Sequence, residues 1–123
     1  MITLGTDHPT WGEFVSGFAV HRELHAFVLA GIPPADALKI ATINGARALN
    51  VSSYLGTIEP GKFADLVIVS GNPLEDITNT RNTKLVMKAG VVYECNELKE
   101  SVRGTIGPNG PEEVELWTRR RRR

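Results

Sequence analysis

The run Ile2-Thr3-Leu4-Gly5-Thr6 is short, apolar and β-branched, and it stops at Asp7-His8-Pro9, where proline disfavours continued regular structure. It predicts a buried strand that ends in a polar turn. A strand of this kind followed by a helix is half of a repeating unit, which needs neighbours on both edges and layers on both faces. The chain supplies one such strand. A complete (β/α)₈ barrel takes about 250 residues, so 123 residues cannot close one. Either the first strand joins a different small sheet, or the chain belongs to something larger. In barrels of this class the reactive side chains stand at the C-terminal ends of the strands, which is the place of Asp7 relative to residues 2–6.

After the loop at 9–17, the apolar positions Phe18, Val20, Leu24, Phe27, Val28 and Leu29 fit a helix closed by Gly31. Pro33 and Pro34 open a second helix with Ala35, Ala37, Leu38, Ile40 and Ala41 on its apolar face. Thr42 or Asn44 would cap a further turn, Ala46 to Leu49. From residue 55 the pattern changes to strands. Leu55 to Ile58 reaches the turn Glu59-Pro60-Gly61-Lys62, and Ala64 to Val69 follows as an apolar run. Lys84 to Lys88 meets Val91 to Glu94 across Ala89-Gly90, a hairpin signal. Beyond Cys95 the periodicity fades, and 95–123 reads as a mobile tail.

Composition excludes several functions. With 41% hydrophobic and 23% charged residues the chain reads as an ordinary globular sequence. Its formal charge of zero hides an asymmetry: Arg119 to Arg123 supply five of the 14 positive charges, leaving residues 1–118 at −5. A single cysteine, Cys95, forms no internal disulfide, and no signal peptide is evident, so the expected setting is the reducing cytoplasm. No apolar run approaches the roughly 20 residues that cross a bilayer, so no membrane partner is expected.

Three stretches carry a family resemblance: "GTD" at 5–7, "AGIPPADALKIATINGARAL" at 30–49 and "LGTIEPGKFADLVIVSGNPLED" at 55–76, followed by "VMKAGVVY" at 86–93. In order and spacing they resemble the C-terminal portion of metal-dependent amidohydrolases, in the imidazolonepropionase- and prolidase-like branch. The fold class this implies is α/β: a fragment of a (β/α)₈ barrel (last strand and closing helices, 1–54) followed by part of a small composite β-sandwich (55–94). The implied activity is hydrolysis of a C–N bond in a small cyclic amide, amidine or dipeptide-like substrate. The resemblance makes Asp7 both a metal-side carboxylate and the general base toward a water activated by a divalent metal, zinc in the complete enzyme. His8, next to Asp7, is the candidate substrate contact. The family's His-x-His pair, its carboxylated Lys or Glu and its later histidines find no counterpart in this chain. The chain alone is therefore expected to hold no metal stably and to be inactive. The alternative is a non-catalytic interaction module that completes a partner's barrel or self-associates through its strand edges.

Plainer readings stand beside these. A lone Asp before His-Pro also serves as a turn residue. His21 and His25 share a helix face at a spacing used by metal sites, but Arg22 stands where H-E-x-x-H requires Glu, so they read as helix-surface histidines. Gly61-Lys62 is followed by Phe63 and a strand, which rejects a phosphate-binding loop. The arginine run lacks an aromatic platform, so no nucleic-acid partner is expected.

Overall fold

The computed structural model describes residues 1–7 and 17–103, and it builds a small α/β unit from four α-helices and one antiparallel sheet. Helix α1, Phe18–Leu29, ends as its sequence predicts. The Ile32 amide donates to the Phe27 carbonyl at 3.0 Å and that of Gly31 to Val28 at 2.9 Å, with Gly31 at φ 92°. This left-handed cap satisfies carbonyls that the helix leaves open, and only glycine adopts it without strain.

Helix α2, Pro34–Lys39, starts with proline in its first turn, as expected. The chain then does not break. A π-helical turn, Ile40–Asn44, runs directly into α3, Gly45–Ala48, with Asn44 in helical conformation. Thr42 and Asn44 therefore do not cap α3, because there is no gap in the helical path to cap. The Thr42 hydroxyl donates to the Leu38 carbonyl at 2.7 Å instead.

Residues 1–7 join no sheet, contrary to the expected first strand. A strand exists only through a neighbour, and the sheet of this chain lies elsewhere in the sequence. The alternation survives: Leu4 and Thr6 are half-buried while Thr3, Gly5 and Asp7 are exposed. Leu4 packs on a core of Leu24 from α1, Ala37 from α2 and Ile77, together with Phe27, Val28, Ile32, Leu38 and Ala41.

Leu55 to Ile58 is not a strand either. Gly56 turns at φ 96°, and a Cβ placed there would lie 2.8 Å from the Ile43 Cα and 2.9 Å from the Ala46 Cβ. The loop is pressed onto the helical turn, and its positive φ breaks the extended run. The Glu59-to-Lys62 turn forms as read, with the Lys62 amide donating to the Glu59 carbonyl at 3.3 Å.

The sheet has the order β1-β2-β3, with β1 at Leu66–Val69, β2 at Thr83–Lys88 and β3 at Val91–Glu94. The β2–β3 hairpin turns at Ala89 and Gly90, with φ 49° and 83°, the geometry that two-residue hairpins favour. Asp65 ties that tip back to the entry of β1: its carboxylate accepts the Ala89 amide at 2.8 Å and pairs with Lys88. Register places Val67, Val86 and Tyr93 on one side and Leu66, Met87 and Val92 on the other. Both sides are apolar.

Helix α4, Cys95–Ser101, falls in the stretch read as a mobile tail. The Glu94 carboxylate caps it, accepting the Asn96 amide at 2.7 Å and the Glu97 amide at 3.0 Å. A 3₁₀ turn, Ile77–Arg81, is capped in the same way by Asp76, which accepts the Thr78 amide at 2.9 Å. Among the described residues no helix is long and apolar enough to cross a membrane.

Candidate active-site segment

Asp7 ends the segment 1–7 with an exposed side chain and φ 48°. That left-handed conformation is uncommon outside glycine, and Asp is among the residues that tolerate it. Leu4 is packed in the core, and the Ile2 carbonyl accepts a hydrogen bond from Asn44 Nδ2 at 3.0 Å. His8 lies outside the described residues, as does the arginine run.

The two helix histidines are not brought together as a metal site. His21 Nδ1 lies 3.1 Å from Thr80 Oγ1, and the Thr80 hydroxyl donates to the Ile77 carbonyl at 2.8 Å. With the single hydroxyl hydrogen committed there, His21 Nδ1 is the donor and the neutral ring carries its proton on that nitrogen. Partial burial, and then the Arg81 guanidinium, hold the His21 pKa below its usual 6.5. Arg81 also lies over the Phe18 ring, 5.1 Å from its centroid. His21 is thus a helix-docking residue between α1 and the 3₁₀ turn. Among the described residues no group of three or more His, Cys, Asp or Glu side chains is placed to hold a metal ion.

Lys62 likewise serves its own loop. Its ammonium hydrogen-bonds Thr57 and lies 3.6 Å from Glu59. The hydrogen bond from Thr57, then the charge of Lys62, hold the Glu59 carboxyl below its ordinary range.

Within the described part of this segment, residues 1–7, the group with acid–base or ligating chemistry is the exposed Asp7 carboxylate. It is a hard oxygen donor and a proton acceptor, whereas a catalytic zinc takes about three protein ligands. The sequence signals Asp7 through its place after an apolar run. It gives no sign of the Asn44 or Thr80 contacts, which join positions 42 and 59 residues apart.

A family model described as "Amidohydrolase family" matches residues 1–93. The chain is 40% identical over 75 residues to a 5-methylthioadenosine/S-adenosylhomocysteine deaminase of Thermoanaerobacter pseudethanolicus, a match covering 55% of this chain and 17% of that protein. Among solved structures, a Xaa-Pro dipeptidase with bound methionine is 42% identical with a TM-score of 0.59, over 60% of this chain and 18% of that one. Molinate hydrolase is 29% identical with a TM-score of 0.70, over 88% of this chain and 23% of that one. The chain thus spans less than a quarter of each of these relatives.

Proposed function

Because the chain belongs to the amidohydrolase family, we propose that it acts as part of a metal-dependent hydrolase of C–N bonds, contributing the last strand of the barrel, the helices that close it and strands of a sandwich. The substrate class is a cyclic amide, an amidine or a dipeptide-like molecule, in keeping with the deaminase and dipeptidase among its relatives. The observation that carries this reading is the family match over residues 1–93, with Asp7 at the end of its first segment.

The exposed Asp7 carboxylate fits one place in such a site, and the described residues bring no second ligand. A divalent metal, zinc in this reading, would be held by Asp7 and by ligands outside these residues; when bound it lowers the pKa of a water to about 7. Asp7 then accepts the proton of the attacking water on a carboxylate oxygen. It returns that proton to the nitrogen as the C–N bond breaks. The Asp7 side chain is exposed, whereas Leu4 three residues earlier packs against the core. His8 would contact the substrate. A reducing cytoplasmic setting suits the single Cys95.

The test is complementation. The chain is co-expressed with a polypeptide carrying the His-x-His strand, loaded with zinc and assayed on cyclic amides and dipeptides. Turnover is expected only from the complemented pair, and Asp7→Asn is expected to lower kcat by about 100-fold or more. Metal-dependent turnover by the chain alone, abolished by Asp7→Asn, would overturn the claim that the remaining ligands come from elsewhere.

A second reading, a non-catalytic module that completes a partner or binds its own copies, is favoured by one observation. Val67 and Tyr93 on one side of the sheet, and Val92 on the other, are 60%, 40% and 54% exposed. Stoichiometric co-purification with a partner that gains no activity would select it.

A further inference from the structure

We propose that Asn44-Gly45 is a site of spontaneous deamidation that the fold holds shut and that opens when the π-helical turn loosens. This is independent of the role given to Asp7 above.

An asparagine side chain cyclises when the backbone nitrogen of the next residue attacks its carbonyl carbon, and a side chain on that next residue hinders the attack. Among the described residues Asn44 is the asparagine that glycine follows. Asn50, Asn79, Asn82 and Asn96 precede Val, Thr, Thr and Glu, and Pro73 after Asn72 has no N–H to lose. At Asn44 the Gly45 nitrogen bonds to Cγ while the Cγ–Nδ2 bond breaks. Ammonia leaves with the proton given up by the Gly45 N–H, and a five-membered imide remains. Water opens that ring at either carbonyl, which leaves aspartate or its β-linked isomer.

The fold keeps the reacting groups apart. Asn44 has φ −68° and ψ −40°, and Gly45 has φ −59° and ψ −46°, both helical. Ring closure needs the Asn44 ψ to rotate out of that well, so that the Gly45 nitrogen faces the side chain. The Gly45 N–H, which must lose its proton, donates to the Thr42 carbonyl. The leaving nitrogen, Nδ2, donates to the Ile2 carbonyl at 3.0 Å. The loop at 55–57 lies against the turn, with Gly56 so near that a Cβ there would sit 2.8 Å from the Ile43 Cα and 2.9 Å from the Ala46 Cβ. Rotation at Asn44 therefore breaks both hydrogen bonds and disturbs that packing.

Glycine at 45 is explained by none of these contacts. Its φ is one that any residue adopts, and a Cβ placed on it meets no described atom within 4 Å outside its own helical stretch. Alanine is the better helix former. What glycine adds is an unhindered nitrogen beside Asn44. The product also closes less well, since a carboxylate has no proton to donate to the Ile2 carbonyl. The β-linked isomer adds a carbon to the backbone inside a helical run.

The experiment incubates the full chain at mildly alkaline pH with and without concentrated urea, and peptide mass mapping follows conversion of the Asn44 amide to an acid. In urea Asn44 is expected to react as fast as Asn109-Gly110, the same dipeptide further along the chain. In native buffer it is expected to react at least about tenfold more slowly than in urea, because only locally opened molecules react. Gly45→Ala is expected to slow the reaction severalfold in urea, where folding plays no part. Gly56→Ala, which pushes the 55–57 loop off the turn, is expected to speed the native reaction and leave the urea rate unchanged. Should that variant fail to fold, urea below the unfolding transition is applied to the parent, with the same acceleration expected. A native rate at Asn44 equal to its urea rate, or no acceleration when the turn is loosened, would overturn the gate. A urea rate unaffected by Gly45→Ala, or far below that of Asn109, would overturn the site.

Discussion

Gly56 and Gly31 share a positive φ, 96° and 92°, but they differ in what surrounds them. A Cβ at Gly56 would meet the backbone of Ile43 and the side chain of Ala46 inside 3 Å, while nothing lies within 4 Å of one at Gly31. Gly31→Ala is therefore expected to cost only left-handed strain, about 1 kcal/mol. Gly56→Ala adds overpacking against a backbone that cannot give way, for a total of about 3 kcal/mol. Urea unfolding of the two variants checks the difference, and equal losses would mean that the 55–57 loop lifts off the helix freely. At this scale the sequence marks residues by their neighbours along the chain. Asp7 is legible because it follows an apolar run, and Pro60-Gly61 because the pair is a turn in itself. Asn44 is not legible as a tether, since its partner is 42 residues away, and short-range reasoning can only offer it a cap.

The docking of α1 on the 3₁₀ turn Ile77–Arg81 depends on Leu24 and Ile77 below the surface and on the His21–Thr80 contact at its margin. Leu24 is 4% exposed, and Leu24→Ala is expected to cost about 3 kcal/mol in a urea titration. The His21 contact makes the same joint sensitive to acid. Its pKa is lowered in the folded chain, so below the unfolded value of 6.5 the unfolded state binds more protons. Stability is then full above that pH and is lost as pH falls through the window below it. Thermal melts are expected to shift down between roughly pH 7 and pH 5, and His21→Gln, which is neutral throughout, is expected to flatten that slope. The lowered carboxylates of Asp65 and Asp76, by the same sign rule, lose their contribution only as pH falls below their ordinary 3.8, so the two effects separate. Helix α1 and the β2–β3 hairpin were legible because each is written in a contiguous pattern with its own stop signal. Residues 2–6 and 55–58 read as strands but pair with no strand of this chain, because an apolar β-branched run states a preference, whereas a ladder requires a neighbour. Helix α4 was missed because its cap, Glu94, belongs to the preceding strand.

Across the whole molecule, the helical layer closes on a thin core while the sheet leaves apolar rows on both sides. Ile58 and Phe63, in the loop before β1, are 86% and 62% exposed. A surface of this kind associates when nothing covers it. Sedimentation of the chain alone is expected to show oligomers that dissociate on dilution, and Val67→Lys with Val91→Lys is expected to shift the population toward monomer. A monomer at high concentration would mean that the sheet tolerates its exposure. The order of segments from 2 to 94 was legible as a family pattern, and the family match supports it. Among the described residues no group of three or more ligating side chains forms, so Asp7 stands out only by its place in that pattern. The two-sided sheet has a further consequence inside a cell. Exposed apolar rows are what chaperones and proteases recognise in unfinished chains, so covering both sides of the sheet is expected to lengthen the lifetime of this chain. Raising its synthesis with both rows left open is expected to feed turnover rather than accumulate chain, which a pulse-chase measurement reads.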